Sequence, residues 1–357
     1  MKTTTYLVNQ SHTITIHTGS EILKHVRLLT SLEIETHAII ITTDNVKKLH
    51  GSTIENALSF LKRKPQVLSI PDGEESKTLK IALFLYEQLL KMGTDRSTVL
   101  IAFGGGALSD LVGFVAATFK RGLPWICIPT TLLSQVDAGI GGKTGVNFGK
   151  LKNMIGVVYQ PVSIICDVNL LKTVPPRQFT SGLSEVIKYG LIRDISLLEL
   201  LEKKDTRQLR LHELETMVTI CSNLKAEIVT QDPLDKTGTR AILNFGHTIG
   251  HAIEALEKGK MTHGEAIAIG MVGASLISEK TVGFSTVETQ RIKKLFTKYA
   301  LPITWKGNVH LVMEKIIHDK KSVGEKIKWV LLEKVGKPIL KEVDEKIVFE
   351  SLKEVAV

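Results

Sequence analysis

Short runs of apolar, mainly β-branched residues alternate with helical patterns over residues 1–175. Such runs predict buried strands, and apolar residues at helical spacing predict the helices between them. The predicted strands are residues 37–43, 65–70, 97–103, 125–129 and 163–167, and the predicted helices are residues 77–92 and 109–119. This order is typical of an α/β domain with a mostly parallel sheet covered by helices.

The pattern changes after Pro175 and Pro176. Consecutive prolines disfavour both helix and strand, so this position is a plausible domain boundary. The apolar spacing then predicts helices over residues 185–201, 211–230, 247–257 and 263–280, and residues 327–338 predict a hairpin. We therefore expect an α/β domain of residues 1–175 and a mainly α-helical domain of residues 176–357. A chain of 357 residues is long enough for each domain to bury its own core.

The composition, with 43% hydrophobic and 23% charged residues, is that of an ordinary soluble globular protein. The net charge is +9, but no dense basic block alternates with aromatic residues, so we expect no nucleic-acid partner. We find no signal-peptide pattern and no apolar run long enough to span a membrane, which predicts a cytoplasmic protein without a membrane partner. Cys127, Cys166 and Cys221 lack metal-site spacing and are predicted to be reduced core residues.

Glycines and polar residues follow several of the predicted strands. Gly104, Gly105 and Gly106 stand between a strand and a helix that carries Asp110, while Asp72-Gly73-Glu74 and Thr130-Thr131 follow two other strands. The glycines do not form the usual GxGxxG dinucleotide motif, and a tight structural turn would explain them if they stood alone. Several strand ends converging on one crevice nevertheless favour a nucleotide-binding sheet.

A lysine between glycines forms a second candidate site. The segment GGKTG around Lys143 lacks the first glycine of a P-loop, so we do not expect it to bind ATP. Lysine contributes little to a core, and therefore an anionic ligand is the better explanation of Lys143 in a glycine loop. Lys152 and Asn153 follow closely in the sequence.

Histidines form the third candidate site. His247 and His251 lie four residues apart on a predicted helix and so on one face, and His263 stands in the segment THGEA. One histidine would by default be structural, but this set favours a metal ion that keeps an open coordination position. The spacing leaves open whether His251 is the third ligand or a carboxylate elsewhere takes that place. Thr248 stands where a zinc protease has its glutamate, so the motif is not that of a protease.

Nearly the full chain resembles the 3-dehydroquinate synthase family. The matching blocks are DGEESKTL (72–79), GGGALSDLVGFVAATFKRG (104–122), PTTLLSQVDAGIGGKTGVN (129–147), KNMIG (152–156), SGLSEVIKYGLI (181–192), RAILNFGHTIGHAIE (240–254) and HGEAIAIGM (263–271). The chain departs from the family's usual pattern at Ser109, where glycine is common, and in DPLDKTGTR, where many relatives carry a glutamate. The second departure leaves one substrate contact unassigned.

The resemblance implies a homodimeric lyase of the shikimate pathway that uses NAD and zinc or cobalt. It would convert 3-deoxy-D-arabino-heptulosonate 7-phosphate into 3-dehydroquinate and phosphate by transient oxidation, β-elimination, re-reduction, ring opening and aldol closure. The implied metal ligands are Glu185, His247 and His263. The implied NAD-binding residues are Asp72, Gly73, Glu74, Glu75, Ser76, Lys77, Gly104, Gly105, Gly106, Ala107, Leu108, Ser109, Asp110, Thr130, Thr131, Lys143, Lys152, Leu170, Leu171, Lys172 and Thr173.

The resemblance also implies a substrate site with several cations. Phosphate would be held by Lys143, Asn153, Asn244, His251 and Lys320, with Arg121 reaching across a dimer interface, carboxylate by Lys225 and Arg240, and ring hydroxyls by Asp137 and Lys188. The catalytic set within these would be Asp137, Lys143, Lys188, Asn244 and His251. The alternatives are another sugar-phosphate cyclase, which would differ at GGKTGVN and Asn244, and an iron-type polyol dehydrogenase, which would form NADH from a simple alcohol.

Overall fold

A computed structural model describes residues 1–9, 12–30, 32–149, 151–235, 237–321 and 327–357. The strands are β1 Lys2–Asn9, β2 His12–Gly19, β3 Ala38–Thr43, β4 Gln66–Ile70, β5 Val99–Gly104, β6 Trp125–Pro129, β7 Lys143–Phe148, β8 Leu151–Val158, β9 Ser163–Asp167, β10 Lys328–Lys334 and β11 Lys337–Glu342. The α-helices are α1 Val26–Thr30, α2 Asp44–Ala57, α3 Leu79–Lys91, α4 Gly106–Thr118, α5 Pro176–Ile192, α6 Ile195–Lys203, α7 Leu211–Gln231, α8 His247–Glu257, α9 His263–Val282, α10 Thr286–Lys298, α11 Val309–Lys321 and α12 Glu345–Val355.

The chain divides into two compact units. The first comprises Met1–Pro175 and Leu211–Leu234, and the second comprises Pro176–Arg210 and Asp235–Val357. Helix α7 therefore groups with the first unit, although the sequence analysis assigned its residues to the second domain. None of the helices in the described ranges is both long and apolar enough to cross a membrane.

The first unit is built on a seven-stranded sheet with the order β1-β2-β9-β6-β5-β3-β4. Only the β1–β2 pair is antiparallel, and the remaining neighbours run parallel. Every residue of β3, β5, β6 and β9 is buried, as expected for strands covered on both faces. The predicted strands and the predicted fold class are confirmed. The three cysteines are buried thiols, as predicted.

Helices dominate the second unit, and α9 lies at its centre with every residue from Ala266 to Ser278 buried. The antiparallel hairpin β10–β11 packs on α9, where Leu332 N donates to Ser278 Oγ at 3.0 Å. One predicted helix was wrong: residues 185–201 belong to two helices that break at Arg193 and Asp194. The break occurs because the Asp194 carboxylate accepts from Ser196 N and starts α6 as its N-cap.

Candidate active site

Three of the segments predicted to bind a nucleotide follow the parallel strands β4, β5 and β6 of the first unit. Thr130 N donates to Gly104 O at 2.9 Å, which joins the ends of β6 and β5. Asp72, which follows β4, accepts from Asn45 N at 3.0 Å, directly after β3. The parallel register brings these carboxyl ends to one edge of the sheet, where α/β folds bind nucleotides.

Helix α4 begins at Gly106, three residues earlier than the sequence predicted. A side chain at Gly106 would lie 2.9 Å from Ala138 Cβ, so a residue without Cβ lets the helix start against that neighbour. Ser109 fits the helix because its hydroxyl donates to Gly106 O at 2.9 Å. The N-terminus of α4 thus lies at the end of β5, where backbone N–H groups can meet a phosphate.

A buried lysine links three segments of the first unit. Lys77 is 3% exposed, and its ammonium donates to Asp110 Oδ2 at 2.5 Å and to Asn153 Oδ1. Burial raises the pKa of Asp110 to about 6, against the opposing charge of Lys77. Asn153 has a left-handed backbone with φ of 57°, which the Asn147 amide oxygen supports by accepting from Asn153 N at 2.9 Å. No sequence signal had distinguished Asn147 from its neighbours in the GGKTGVN segment.

The predicted cofactor residues differ in their exposure to solvent. Leu170 and Leu171 are buried in a 3₁₀ helix that spans Val168–Thr173, and the Thr173 hydroxyl lies 2.7 Å from His50 Nε2. No sequence motif pointed to His50. The exposed members are Asp72, Gly73, Glu74, Glu75, Lys143, Lys152, Lys172 and Thr173, and the buried members include Ser76, Lys77, Gly104, Leu108, Ser109 and Thr130.

Lys143 begins strand β7, where the sequence analysis predicted a glycine loop. The loop is confined to Gly141 and Gly142, both of positive φ, because the following residues pair with β8 in an antiparallel hairpin. Lys152 lies on β8 of the same hairpin, and both lysines are exposed. The hairpin therefore presents these cations on regular strands.

Asp137 and Lys225 form an ion pair within the first unit. Lys225 on α7 is 7% exposed, and its ammonium donates to Asp137 Oδ1 at 2.5 Å and to Asp137 O at 2.7 Å. Asp137 lies in a π-helical turn that spans Ser134–Ala138. The structure thus joins two residues that the family resemblance assigned to the same substrate.

The second unit brings one carboxylate and two imidazoles together at a buried point. Glu185 Oε1 on α5 lies 3.6 Å from His247 Nε2 on α8 and 3.5 Å from His263 Nε2 on α9. One ligand atom from each of the three residues lies within 4.8 Å of the others. This is a donor set that suits zinc or a similar ion, with three protein ligands.

Each of the three side chains also makes a second contact on the side away from this common point. Lys188 pairs with Glu185 Oε2, Phe245 O lies 3.1 Å from His247 Nδ1, and Glu254 Oε2 lies 3.2 Å from His263 Nδ1. These contacts leave Glu185 Oε1 and both Nε2 atoms directed at the common point. The side chain of Lys188, like that of Glu185, is almost completely buried.

The two histidines differ in protonation. Burial lowers the pKa of His247 to about 3, against the opposing charge of Glu185, so its ring is neutral at pH 7. Burial also disfavours the charged form of His263, but the hydrogen bonds that its ring donates to Glu185 and Glu254 outweigh burial and raise the pKa of His263 to about 9. In the ion-free site His263 therefore carries a proton between two carboxylates.

His251 lies beside this site and is exposed. Its ring centroid is 5.2 Å from that of His247 and 5.9 Å from that of His263. With Glu254 and His263 it forms a second group whose ligand atoms lie within 4.8 Å of one another.

Helices α5 and α9 approach closely next to the site. A Cβ at Gly264 would lie 2.1 Å from Ser181 O, and Gly264 N donates to Ser181 Oγ at 2.9 Å. Arg177 at the start of α5 also links the two helices, because its guanidinium donates to both carboxylate oxygens of Glu265 on α9 at 2.7 Å. No sequence pattern pointed to Arg177, and Gly264 stood out only as part of the THGEA motif.

Gly264→Ala is expected to destabilise the protein and to separate His263 from Glu185. The added methyl group would meet backbone atoms of Ser181, which cannot move without shifting α5, at a cost of roughly 1–3 kcal/mol. The free energy of unfolding, measured by chemical denaturation, tests this. Gly51→Ala in α2 is the control, since its Cβ meets only Lys47 Cγ at 3.6 Å and alanine should stabilise that helix by up to about 1 kcal/mol. Equal effects of the two changes would contradict the close approach.

Arg240 is a buried cation of the second unit. It is 4% exposed, and its Nε and Nη1 atoms have no hydrogen-bond partner among the described residues. Nearby in sequence, Asn244 is exposed at the end of a 3₁₀ helix that spans Thr239–Asn244. The predicted residue Lys320 has a side chain that lies outside the described part of the chain. An unpaired buried guanidinium is costly, so an anionic ligand would compensate it.

Two solved sugar-phosphate cyclases share this fold. A 2-deoxy-scyllo-inosose synthase in complex with carbaglucose-6-phosphate, NAD⁺ and Co²⁺ is 28% identical, with a TM-score of 0.89 over 99% of this chain and 100% of that one. A 2-epi-5-epi-valiolone synthase from Streptomyces hygroscopicus with NAD⁺ and Zn²⁺ is 24% identical, with a TM-score of 0.89 over 98% of each chain. The fold is that of the sugar-phosphate cyclases.

Sequence comparisons define the family within this class. Residues 67–181 match the 3-dehydroquinate synthase N-terminal family model, and residues 182–322 match the C-terminal one. A 3-dehydroquinate synthase of Methylacidiphilum infernorum is 43% identical over 84% of this chain and 83% of its own. Another, of Enterococcus faecalis, is 39% identical over 94% of each. The chain belongs to the 3-dehydroquinate synthase family.

Proposed function

We propose that this protein is an NAD- and metal-dependent lyase that converts 3-deoxy-D-arabino-heptulosonate 7-phosphate into 3-dehydroquinate and phosphate. The observation that carries the proposal is the convergence of Glu185, His247 and His263 within 4.8 Å, inside the segment that matches the C-terminal family model. The alternatives of another cyclase or a polyol dehydrogenase have less support, because the family models and the relatives above 38% identity carry the synthase name.

The dinucleotide would bind at the carboxyl edge of the sheet in the first unit. Support comes from the strand ends at Gly104 and Thr130, the helix N-terminus at Gly106 and the buried Lys77–Asp110 pair. The 2-deoxy-scyllo-inosose synthase of the same fold contains NAD⁺. The proposed contacts are the residues that the family resemblance assigned, from Asp72 to Thr173.

Zinc or cobalt would be held by Glu185 Oε1, His247 Nε2 and His263 Nε2. These donor types suit either metal, and the opposite atom of each side chain is engaged by another group. When bound, metal and NAD would supply the reversible oxidation of a substrate hydroxyl, which acidifies the neighbouring proton and permits loss of phosphate. Our proposal for the remaining residues is that they bind and orient the substrate.

Zinc binding at pH 7 is expected to release about one proton. Because the pKa of His263 is raised to about 9 in the ion-free protein, zinc must displace its proton, and the apparent affinity should rise about tenfold per pH unit up to that pKa. Calorimetry in buffers of different ionisation enthalpy counts the proton. His318→Ala, which changes an exposed histidine of α11, should leave the count unchanged. A count of zero for the unmodified protein would contradict the protonation of His263.

The substrate's anionic groups would be bound by the cations that the family resemblance implies. The proposed carboxylate ligands are Arg240, whose Nε and Nη1 have no hydrogen-bond partner among the described residues, and Lys225, for whose ammonium the substrate would compete with Asp137. The proposed phosphate ligands are Lys143, Asn153, Asn244, His251 and Lys320, and the proposed contacts to ring hydroxyls are Asp137 and Lys188. A site that mainly orients its substrate can lower the barrier by several kcal/mol, since an intramolecular reaction needs no further encounter.

We further propose a homodimer in which Arg121 reaches the partner's substrate. Arg121 is exposed and has a left-handed backbone with φ of 66°, next to Lys120 with φ of 49°. Exposed apolar side chains on the hairpin β7–β8, among them Phe148, Leu151 and Met154, also favour a partner surface. Light scattering after size-exclusion chromatography measures the mass. A cytoplasmic location and the lack of a nucleic-acid partner stay predictions.

The test of the proposed function is an assay of the purified protein with the heptulosonate phosphate, NAD and zinc. Release of phosphate together with 3-dehydroquinate, without net formation of NADH, is the expected result. Glucose 6-phosphate tests for another cyclase, and glycerol tests for a polyol dehydrogenase, which would accumulate NADH without phosphate. Turnover of either alternative substrate without turnover of the heptulosonate phosphate would overturn the proposal.

A further inference from the structure

Glu254 contacts a metal-site residue from the side opposite to the proposed metal. It lies on α8, seven residues after His247, and two helical turns bring both side chains to one face. Its Oε2 atom is 3.2 Å from His263 Nδ1, while His263 Nε2 faces Glu185 Oε1 at 3.5 Å. The Glu254 side chain is only 14% exposed, so water competes little for this contact.

A neutral imidazole has one N–H and one lone pair, on different nitrogens. A carboxylate at Nδ1 accepts the N–H there and leaves the lone pair on Nε2, which is the nitrogen that faces Glu185. The backbone does the same for the other imidazole, since Phe245 O lies 3.1 Å from His247 Nδ1. Once a metal at Nε2 has displaced the second proton of His263, the two histidines therefore have matching tautomers, one fixed by a carbonyl and one by a carboxylate.

We propose that Glu254 is a positioning residue that fixes the tautomer and ring orientation of His263 and thereby sets the metal affinity of the site. The inference rests on the proposed metal centre and adds to it a residue that does not touch the metal. Carboxylates in this relation to a ligating histidine raise its basicity and hold its ring.

The group His251, Glu254 and His263 could be taken for a second cation site. That site would need the Nδ1 lone pair of His263 while Nε2 binds the first ion. His263 would then have to lose both ring protons, which a neutral imidazole does not do. The contact geometry favours the positioning role, and metal stoichiometry separates the two possibilities.

The experiment measures zinc dissociation constants by competition with a chelator, without substrate or NAD, for three forms of the full chain. Glu254→Ala is expected to weaken zinc binding by about 10- to 100-fold at an unchanged stoichiometry of one ion per chain. Glu254→Gln should fall between Ala and the unmodified protein, because its amide oxygen still accepts the Nδ1–H. The visible spectrum of the cobalt form should also change in the alanine variant, since the His263 ring is no longer held.

Glu257→Gln is the matched control. It makes the same change one turn further along α8, where Glu257 accepts from Trp305 Nε1 at 2.6 Å, and zinc affinity should stay the same. Thermal unfolding of each variant establishes that it is folded, and the glutamine variant keeps the measurement valid if the alanine variant is not.

Three results would overturn the inference. The first is a zinc affinity of the folded Glu254 variants within twofold of the unmodified protein. The second is two zinc ions per unmodified chain and one in Glu254→Ala, which would make Glu254 a metal ligand. The third is no zinc binding by the unmodified protein, which would remove the proposed metal centre as well. Failure of the heptulosonate assay with weaker zinc binding in the variants would overturn the proposed substrate alone.

Discussion

His247→Ala is expected to lose the bound zinc and to lower turnover by roughly a thousandfold, since a Lewis acid contributes several kcal/mol. His247 is buried, and its Nε2 lies 3.6 Å from Glu185 Oε1. Alanine removes this nitrogen and with it one of the three proposed metal ligands. His251→Ala should keep one zinc ion per chain, because this exposed ring does not belong to the Glu185, His247 and His263 group.

In His251→Ala the loss should instead appear in substrate affinity or phosphate release. Removing one hydrogen bond to a charged leaving group costs roughly 1–3 kcal/mol, or about 5- to 150-fold. Zinc content by elemental analysis and NADH formation in a single turnover are measured on both variants. Equal zinc loss in the two would mean that α8 supplies both histidine ligands and that Glu185 is not one.

Arg240→Met is expected to weaken substrate binding strongly. The free energy of unfolding should stay unchanged or increase. Removing one partner of a buried, hydrogen-bonded charge pair costs roughly 2–5 kcal/mol in binding. Without ligand, however, Arg240 is a buried cation whose Nε and Nη1 lack partners among the described residues. An apolar side chain of similar length removes that unfavourable charge, so the free energy of unfolding should not fall.

The measurements are kcat/KM for the heptulosonate phosphate and denaturant unfolding of the same preparations. Arg240→Lys is the control, because it keeps the charge but loses the planar fork that binds a carboxylate through two N–H groups. It should weaken binding as well and should not stabilise the fold. A large loss of stability in Arg240→Met at unchanged substrate affinity would assign Arg240 a structural role.

The sequence by itself determined the elements whose signals are local. The runs of 37–43, 97–103 and 163–167 form buried strands because apolar residues on both faces of a strand are stable only between layers. The glycines at 104–106 predicted the turn before α4, because they stand directly between a predicted strand and a predicted helix. Strands β1 and β2 and the hairpin β7–β8 were not predicted, because many of their residues are polar or exposed.

Sequence spacing also found three histidines for a metal site but did not decide among them. His247 and His251 are equivalent by spacing, because a four-residue separation puts both on one helix face. Glu185 entered only through the family resemblance, since it precedes His247 by sixty-two residues and no local pattern connects them.

The tertiary structure decided which of these side chains meet. Contacts at Gly264 and Ser181 bring α5 against α9, so that Glu185 Oε1 faces His263, and the same packing sets Glu254 behind the ring. It also grouped α7 with the sheet, where Lys225 pairs with Asp137. The physical reason is range: backbone periodicity orders side chains over a few residues, whereas these pairs depend on how separate helices and strands exclude water from a shared core.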